Sequence, residues 1–143
     1  MGVGYQALYS TTASNLTALG YQALYSNSSG TGNTAIGYQA MDALTTGFNN
    51  TALGYTTLGS VTGNNNTALG ANAGSNITSG SNNIIIGADK QAVVSTGSNQ
   101  LNIGDWIYGN GGNVGIGTST VTAKLDVNGT FKLGSAGTVT TAA

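Results

Sequence analysis

The segment Asn33-Thr34-Ala35-Ile36-Gly37-Tyr38-Gln39-Ala40 decides the fold, because close copies of it recur along most of the chain. The glycine within the segment returns every 16 or 17 residues from Gly4 to Gly104, with a last copy at Gly117. A unit this short cannot enclose a hydrophobic core alone, so each copy must bury its apolar side chains against its neighbours. The repeat therefore predicts a stack of coils.

The three residues before this glycine are expected to form a short strand. The last of them is always aliphatic, and the first alternates between threonine and aliphatic residues. Since alternate strand residues share a face, both positions are predicted to point into the coil, with the intervening alanine on the opposite face. Leu53→Asp is then expected to be severely destabilising. The predicted core column comprises Leu19, Ile36, Leu53, Leu69, Ile86, Ile103 and Ile116.

Glycines are expected at the corners of each coil, where they supply a positive φ or allow backbones to approach closely. The first set follows the aliphatic position, and a second set always precedes it by seven residues. A second strand is predicted after each corner, as in Tyr21-Gln22-Ala23-Leu24. The predicted corner glycines are Gly20, Gly37, Gly54, Gly70, Gly87 and Gly104.

These patterns predict an all-β protein, a parallel β-solenoid (β-roll) of 16–17-residue coils. A helical alternative fails because Gly, Asn, Ser and Thr at this density disfavour helices. We expect the solenoid shaft at residues 1–109, and a transition with a C-terminal strand pair at residues 110–143. The glycine-rich run from residue 109 to 117 is interpreted as a flexible joint.

The C-terminal part alternates at period two on both sides of Asn128-Gly129, which predicts a β-hairpin-like segment. A three-residue loop would pair Val127 with Phe131 and Leu125 with Leu133. This register gives one buried face, so it is preferred over a two-residue turn. The same two segments could also pair between chains.

The composition argues against chemistry. The 143 residues include no His or Cys, and neither Glu nor Arg occurs, so no catalytic residue is assigned and the chain is not expected to be an enzyme. No cofactor site is predicted. The aspartates lack the spacing of a calcium loop, so no metal site is predicted either. The net charge of −1 argues against nucleic acid, and no apolar run is long enough for membrane insertion.

Trp106 and Tyr108 interrupt the repeat and include the chain's single tryptophan. Such a pair can stack on sugars, and it is therefore a candidate contact for a glycan or a partner. More often, aromatic side chains of this kind close the end of a core, and we expect that role here.

Two parts of the chain resemble known fibres. The segments 33–40 and 81–88 are similar to repeats of phage tail fibres and of YadA-like trimeric autotransporter adhesin heads. Asn113-Val114-Gly115-Ile116-Gly117-Thr118, followed by residues 123–130, is similar to the stretch that often precedes an intramolecular chaperone domain in tail fibres. The resemblance implies a homotrimeric fibre outside the cell. Val121 departs from it, since tail fibres usually have Pro there, and no chaperone domain follows Ala143.

A homotrimer also has a physical reason, because one narrow coil cannot cover all its apolar side chains. Contacts between chains are predicted through Tyr21, Tyr38, Tyr55, Phe131 and Leu133. The expected function is a non-enzymatic fibre segment for attachment to a cell surface, on a virion tail or a bacterial surface, with a surface glycan as a further partner. One alternative is a self-assembling extracellular filament. Ice binding is disfavoured, because the threonine position is expected to face the core.

Overall fold

The computed structural model describes residues 1–131. Within them it contains no helix, and the strands form one sheet whose order follows the sequence. The chain is a parallel β-solenoid of about six turns of about 17 residues, which confirms the predicted fold class. The strands are β1 (Gly2–Val3), β2 (Thr17–Leu19), β3 (Thr34–Ile36), β4 (Thr51–Leu53), β5 (Thr67–Leu69), β6 (Ile84–Ile86), β7 (Gln100–Ile103), β8 (Ile107–Asn110), β9 (Asn113–Ile116) and β10 (Leu125–Val127).

The short strand before each corner glycine is confirmed, and equivalent residues of successive coils lie side by side. In β3 and β4, Thr34 pairs with Thr51, Ala35 with Ala52 and Ile36 with Leu53, all in parallel. The same register continues from β2 to β7. Each position of the repeat therefore forms a column along the solenoid.

The predicted orientation of these strands was wrong. Ala18, Ala35 and Ala52 are fully buried, whereas Leu19 is 45% exposed and Leu53 is 47% exposed. The aliphatic residues do stack in a column, but that column lies on the outer face together with the threonines. Its remaining members are exposed or only partly buried: Ile36, Leu69, Ile86, Ile103 and Ile116.

The inversion follows from what already fills the coil. Leu24, Met41 and Leu58 come from the segments after the corner glycines, and all three are fully buried in one cluster with the strand alanines. Large side chains from this wall leave room only for small ones from the strand opposite. The period-two alternation then turns threonine and leucine outward.

The predicted second strand is also wrong, because the segment after each corner glycine forms a turn. Gln22 and Leu24 both have a φ of 53°, which is left-handed and incompatible with a strand. Stacking between coils persists without a strand. The Leu24 amide donates to the Ala40 carbonyl at 3.1 Å, and the Gln22 amide donates to the Tyr5 carbonyl at 2.9 Å.

The corner glycines are confirmed by their backbone conformation and by the close approach of neighbouring coils. The φ is 136° at Gly20 and 134° at Gly37. A Cβ atom on Gly20 would collide with the carbonyl of Gly37. The other predicted corners, Gly54, Gly70, Gly87 and Gly104, also have positive φ. At Gly20, Gly37, Gly54 and Gly70, a side chain would collide with the backbone of the corner glycine in the next coil and would force the coils apart.

The uninterrupted parallel pairing that begins at β1 ends at β7, whose last residue is Ile103. The predicted shaft boundary lies further along the chain, near residue 109. Strand β8 runs antiparallel to β7, and β9 runs antiparallel to β8. Gly111 and Gly112 have φ of 60° and 83°, as the two central residues of a tight hairpin require. The run expected to be a flexible joint therefore includes a defined hairpin turn.

Strand β10 pairs in parallel with β9, with Leu125 beside Val114 and Val127 beside Ile116. The predicted hairpin partner of β10 is residues 130–133. Lys132 and Leu133 lie outside the described residues, so the hairpin stays a prediction.

Candidate functional site

The outer face of the sheet is a regular surface of the solenoid. We use the term outer face for the threonine and aliphatic columns of β2 to β7. Its side chains are aligned in register and repeat with each coil. Ile84 replaces threonine in β6 and is 44% exposed, so the face becomes more apolar toward β7. An aligned, partly exposed apolar surface of this kind is a candidate interaction site.

A row of stacked tyrosines follows the corner glycines. Tyr21 and Tyr38 have ring centroids 5.1 Å apart and planes 8° apart, and Tyr38 and Tyr55 repeat this geometry at 5.1 Å and 9°. Tyr5 stacks on Tyr21 and extends the row toward the N-terminus. These rings are 40% to 65% exposed, although they pack on one another. The tyrosine row thus remains accessible in the single chain.

A buried asparagine ladder links neighbouring coils, and the sequence analysis did not identify it. The ladder comprises Asn33, Asn50, Asn66 and Asn83, each at most 1% exposed. The Oδ1 atom of Asn50 accepts a hydrogen bond from the backbone N–H of Asn66 at 2.9 Å, while Nδ2 of Asn50 donates to the Gly63 carbonyl at 3.0 Å. The asparagine that begins each repeat, three residues after the second glycine set, was the available signal.

The ladder ends at Gln100, the residue that replaces asparagine in the last coil. Its amide still donates to Oδ1 of Asn83 at 2.9 Å. Its own side chain turns back, since Oε1 accepts the Val94 amide and Nε2 donates to the Val94 carbonyl. The longer side chain therefore completes the hydrogen bonds of its own coil, where the regular repeat stops.

A polar cleft of about 330 Å³ lies where the coils meet the antiparallel strands. The turn after β6, the β7 to β8 region and the loop after β9 all contribute to it. It is distinct from the outer face and the tyrosine row. Its lining residues are Asp89, Gln91, Val93, Asn102, Asp105, Tyr108 and Ser119.

Asp105 is the most constrained acidic group of the cleft. Lys90 Nζ donates to its Oδ2 at 2.7 Å, and Asn102 Nδ2 donates to its Oδ1 at 2.8 Å. The hydrogen bond from Lys90, followed by that from Asn102, lowers the pKa of Asp105. Burial raises the pKa of Tyr108, so its phenol keeps its proton at neutral pH. The cleft thus presents an ionised carboxylate beside a neutral hydroxyl.

The two aromatic residues selected from the sequence have different surroundings. Tyr108 lines the polar cleft, whereas Trp106 does not. Trp106 is 75% exposed, so the expectation that it closes the end of the core was wrong. The turn between β7 and β8 contains only Gly104, Asp105 and Trp106, and it holds the indole outside the coil.

Other kinds of site have little support in residues 1–131. No group of three or more His, Cys, Asp or Glu side chains that could hold a metal ion occurs there. In the same range, no helix has the length and apolar character needed to cross a membrane. Comparison with known proteins finds no matching family model, no matching curated protein and no matching solved structure.

Proposed function

We propose that this chain is a structural segment of an extracellular homotrimeric fibre that attaches to a cell surface. The observation that carries the proposal is the outward position of the aliphatic column. Together with the tyrosine row, it leaves each solenoid with apolar side chains that its own fold does not cover. Covering such a surface with a partner is favourable, because it removes apolar area from water.

A second copy of the same chain is the partner that fits this surface best. The columns repeat once per coil, and another copy carries the same spacing. Asp42 is the only charged side chain before residue 89, so the shaft offers almost no charge pattern for a different protein to recognise. A total of three copies is taken from the resemblance to tail fibres and trimeric adhesins.

The predicted trimer contacts include Tyr21, Tyr38 and Tyr55, which are 40%, 42% and 54% exposed in the single chain. Phe131 is 57% exposed. These exposures are compatible with contacts between chains. We add Leu19 and Leu53 to the proposed interface, since the corrected orientation makes them available.

The attachment role is tested with the purified chain and a panel of bacterial cells. Few ion pairs can form with the shaft, so attachment is expected to change little between low and high salt. It is also expected to strengthen when copies are clustered on a bead, because many weak contacts then act together. Binding that disappears at high salt, or no attachment to any surface, would contradict the proposal.

The corrected orientation also bears on the ice-binding alternative, because the argument against it places the threonines inside the coil. Thr17, Thr34, Thr51 and Thr67 in fact form an outward column. The column is interrupted by Ile84 and Leu101, and its members are half-buried beside the aliphatic residues. Thermal hysteresis of an ice suspension distinguishes the two roles, and the fibre proposal predicts none. Ordered filaments in electron micrographs would instead support the self-assembling alternative.

A further inference from the structure

We propose that the polar cleft binds an uncharged saccharide, either a terminal sugar or a short glycan. The inference rests on the proposed attachment function and specifies the ligand class of one site. The cleft volume of about 330 Å³ lies at the lower end of the range of ~300–1000 Å³ usual for ligand sites. It therefore suits a small group at the end of a glycan better than a long chain lying in a groove.

The cleft contains acceptors for sugar hydroxyl groups. Asp89 Oδ1 accepts one hydrogen bond, from Asn72 Nδ2 at 2.7 Å. Each oxygen of Asp105 accepts one side-chain hydrogen bond, from Lys90 or from Asn102. A carboxylate has about four acceptor positions. Both aspartates therefore keep acceptor capacity for hydroxyl donors.

The other lining groups suit the same ligand. Tyr108 and Ser119 carry hydroxyls, which can both donate and accept, as sugar hydroxyls do. Val93 is 45% exposed and gives the lining an apolar area against which the C–H face of a sugar can pack. A polyol with one less polar face satisfies this mixture, whereas a purely apolar ligand would cover the remaining acceptor positions of the carboxylates without giving them a donor.

Charge determines which saccharides the cleft accepts. Asp89 and Asp105 carry two negative charges, and Lys90 supplies one positive charge that is already paired with Asp105 at 2.7 Å. The local balance is thus negative and disfavours sugars that carry carboxylate, sulfate or phosphate groups. A neutral saccharide avoids this repulsion and can still donate hydrogen bonds to both carboxylates.

The cleft is organised before any ligand arrives. Asn102, which is 2% exposed, donates to the Gln91 carbonyl at 2.9 Å and to Asp105 Oδ1, and it accepts the Asp105 amide at 2.9 Å. Gln91 is itself held, because its Oε1 accepts the Asn76 amide at 3.0 Å. A lining held in place in this way reduces the entropy lost on binding.

Titration of the full chain with lactose, maltose, chitobiose and sialyllactose tests the proposal. Calorimetry gives the affinity, and Trp106, the single tryptophan, reports through its fluorescence because it adjoins Asp105. At least one neutral sugar is expected to bind, and sialyllactose is expected to bind more weakly than lactose. Asp89→Asn should weaken binding at least about tenfold, since it removes a charged acceptor.

The variant keeps the fold, since Asp89 has a φ of 58° and asparagine tolerates this conformation. Asp126→Asn is the matched control, because it makes the same charge change outside the cleft lining and should leave the affinity unchanged. The proposal is overturned if no neutral sugar binds, if sialyllactose binds best, or if both variants weaken binding equally. A chain that attaches to cells yet binds none of these sugars would refute the cleft assignment alone.

Discussion

Two columns of the same strands, one residue apart, have opposite environments. The alanine column, represented by Ala52, is fully buried, whereas the leucine beside it in sequence, Leu53, is 47% exposed. Hydrophobicity alone would place the larger side chain inside. In a narrow coil, the space left by the opposite wall decides instead, and Leu24, Met41 and Leu58 of that wall are already buried. An aliphatic column in a repeat protein can therefore lie outside the core, and here we propose that it forms an interface.

The largest effect is expected from a charge placed in the inner column. Ala52→Asp puts a carboxylate among apolar side chains, and no lysine occurs before residue 90 to pair with it. We expect a loss of about 3 kcal/mol or more in the free energy of unfolding, measured by chemical denaturation at fixed protein concentration. A loss below about 1 kcal/mol would mean that the alanine column is not the interior.

The second largest effect is expected in the asparagine ladder. Asn66→Ala leaves the Gly80 carbonyl and the Asn83 amide without their partners, which now lie at 2.9 Å and 3.0 Å. Each of these two buried orphans costs about 1–3 kcal/mol, so a total loss of at least about 2 kcal/mol is expected in the same assay.

Gln39→Ala is the matched control for the ladder. It removes one partly exposed amide contact, from Nε2 of Gln39 to Oε1 of Gln22 at 3.0 Å. Water can replace that bond, so the loss should stay below about 1 kcal/mol. Equal losses for the two variants would refute the special role of the buried ladder.

A charge in the outer column should affect the single chain far less. Leu53→Asp places the carboxylate in solvent, so we expect a change of about 1 kcal/mol or less for the isolated chain and an unchanged far-ultraviolet β spectrum. Dilute protein, below the concentration at which copies associate, gives the relevant measurement. Unfolding as severe as that of Ala52→Asp would restore the original inward assignment of this column.

The smallest effects concern two aspartates in different regions. Burial raises the pKa of Asp42 in the coils, so the stability it contributes is present below its unfolded pKa of about 4 and is lost as pH rises through the folded value. Asp42→Asn is therefore expected to be slightly more stable than the parent at pH 7, with a difference that shrinks toward pH 4.

Asp105 at the cleft has the opposite sign and serves as the comparison. The hydrogen bond from Lys90 lowers its pKa, so its contribution is present above the unfolded pKa and is lost as pH falls through the folded value. Asp105→Asn should be slightly destabilising at neutral pH. Melting temperatures between pH 3 and 7 test both signs, and a common direction for the two variants would contradict the assignment.

The sequence predicted the coil, its period, the strand triplet and the corner glycines, because each depends on spacing alone. It did not predict which face points inward. The alternation of Thr34, Ala35 and Ile36 is the same in either orientation, and the deciding residues, such as Met41, lie on another wall. The cleft was missed for a related reason. Tyr108 and Asp89 are far apart in sequence, and the antiparallel turn of β8 brings them to one site.

We propose that copies of the same chain cover the outer face. The mass of the full chain in solution, measured by light scattering beside that of Leu53→Asp, decides this point. We expect three times the chain mass of 14.1 kDa for the parent and 14.1 kDa for a folded variant. A parent that stays at 14.1 kDa, or a variant that keeps the parent's assembly, would contradict it.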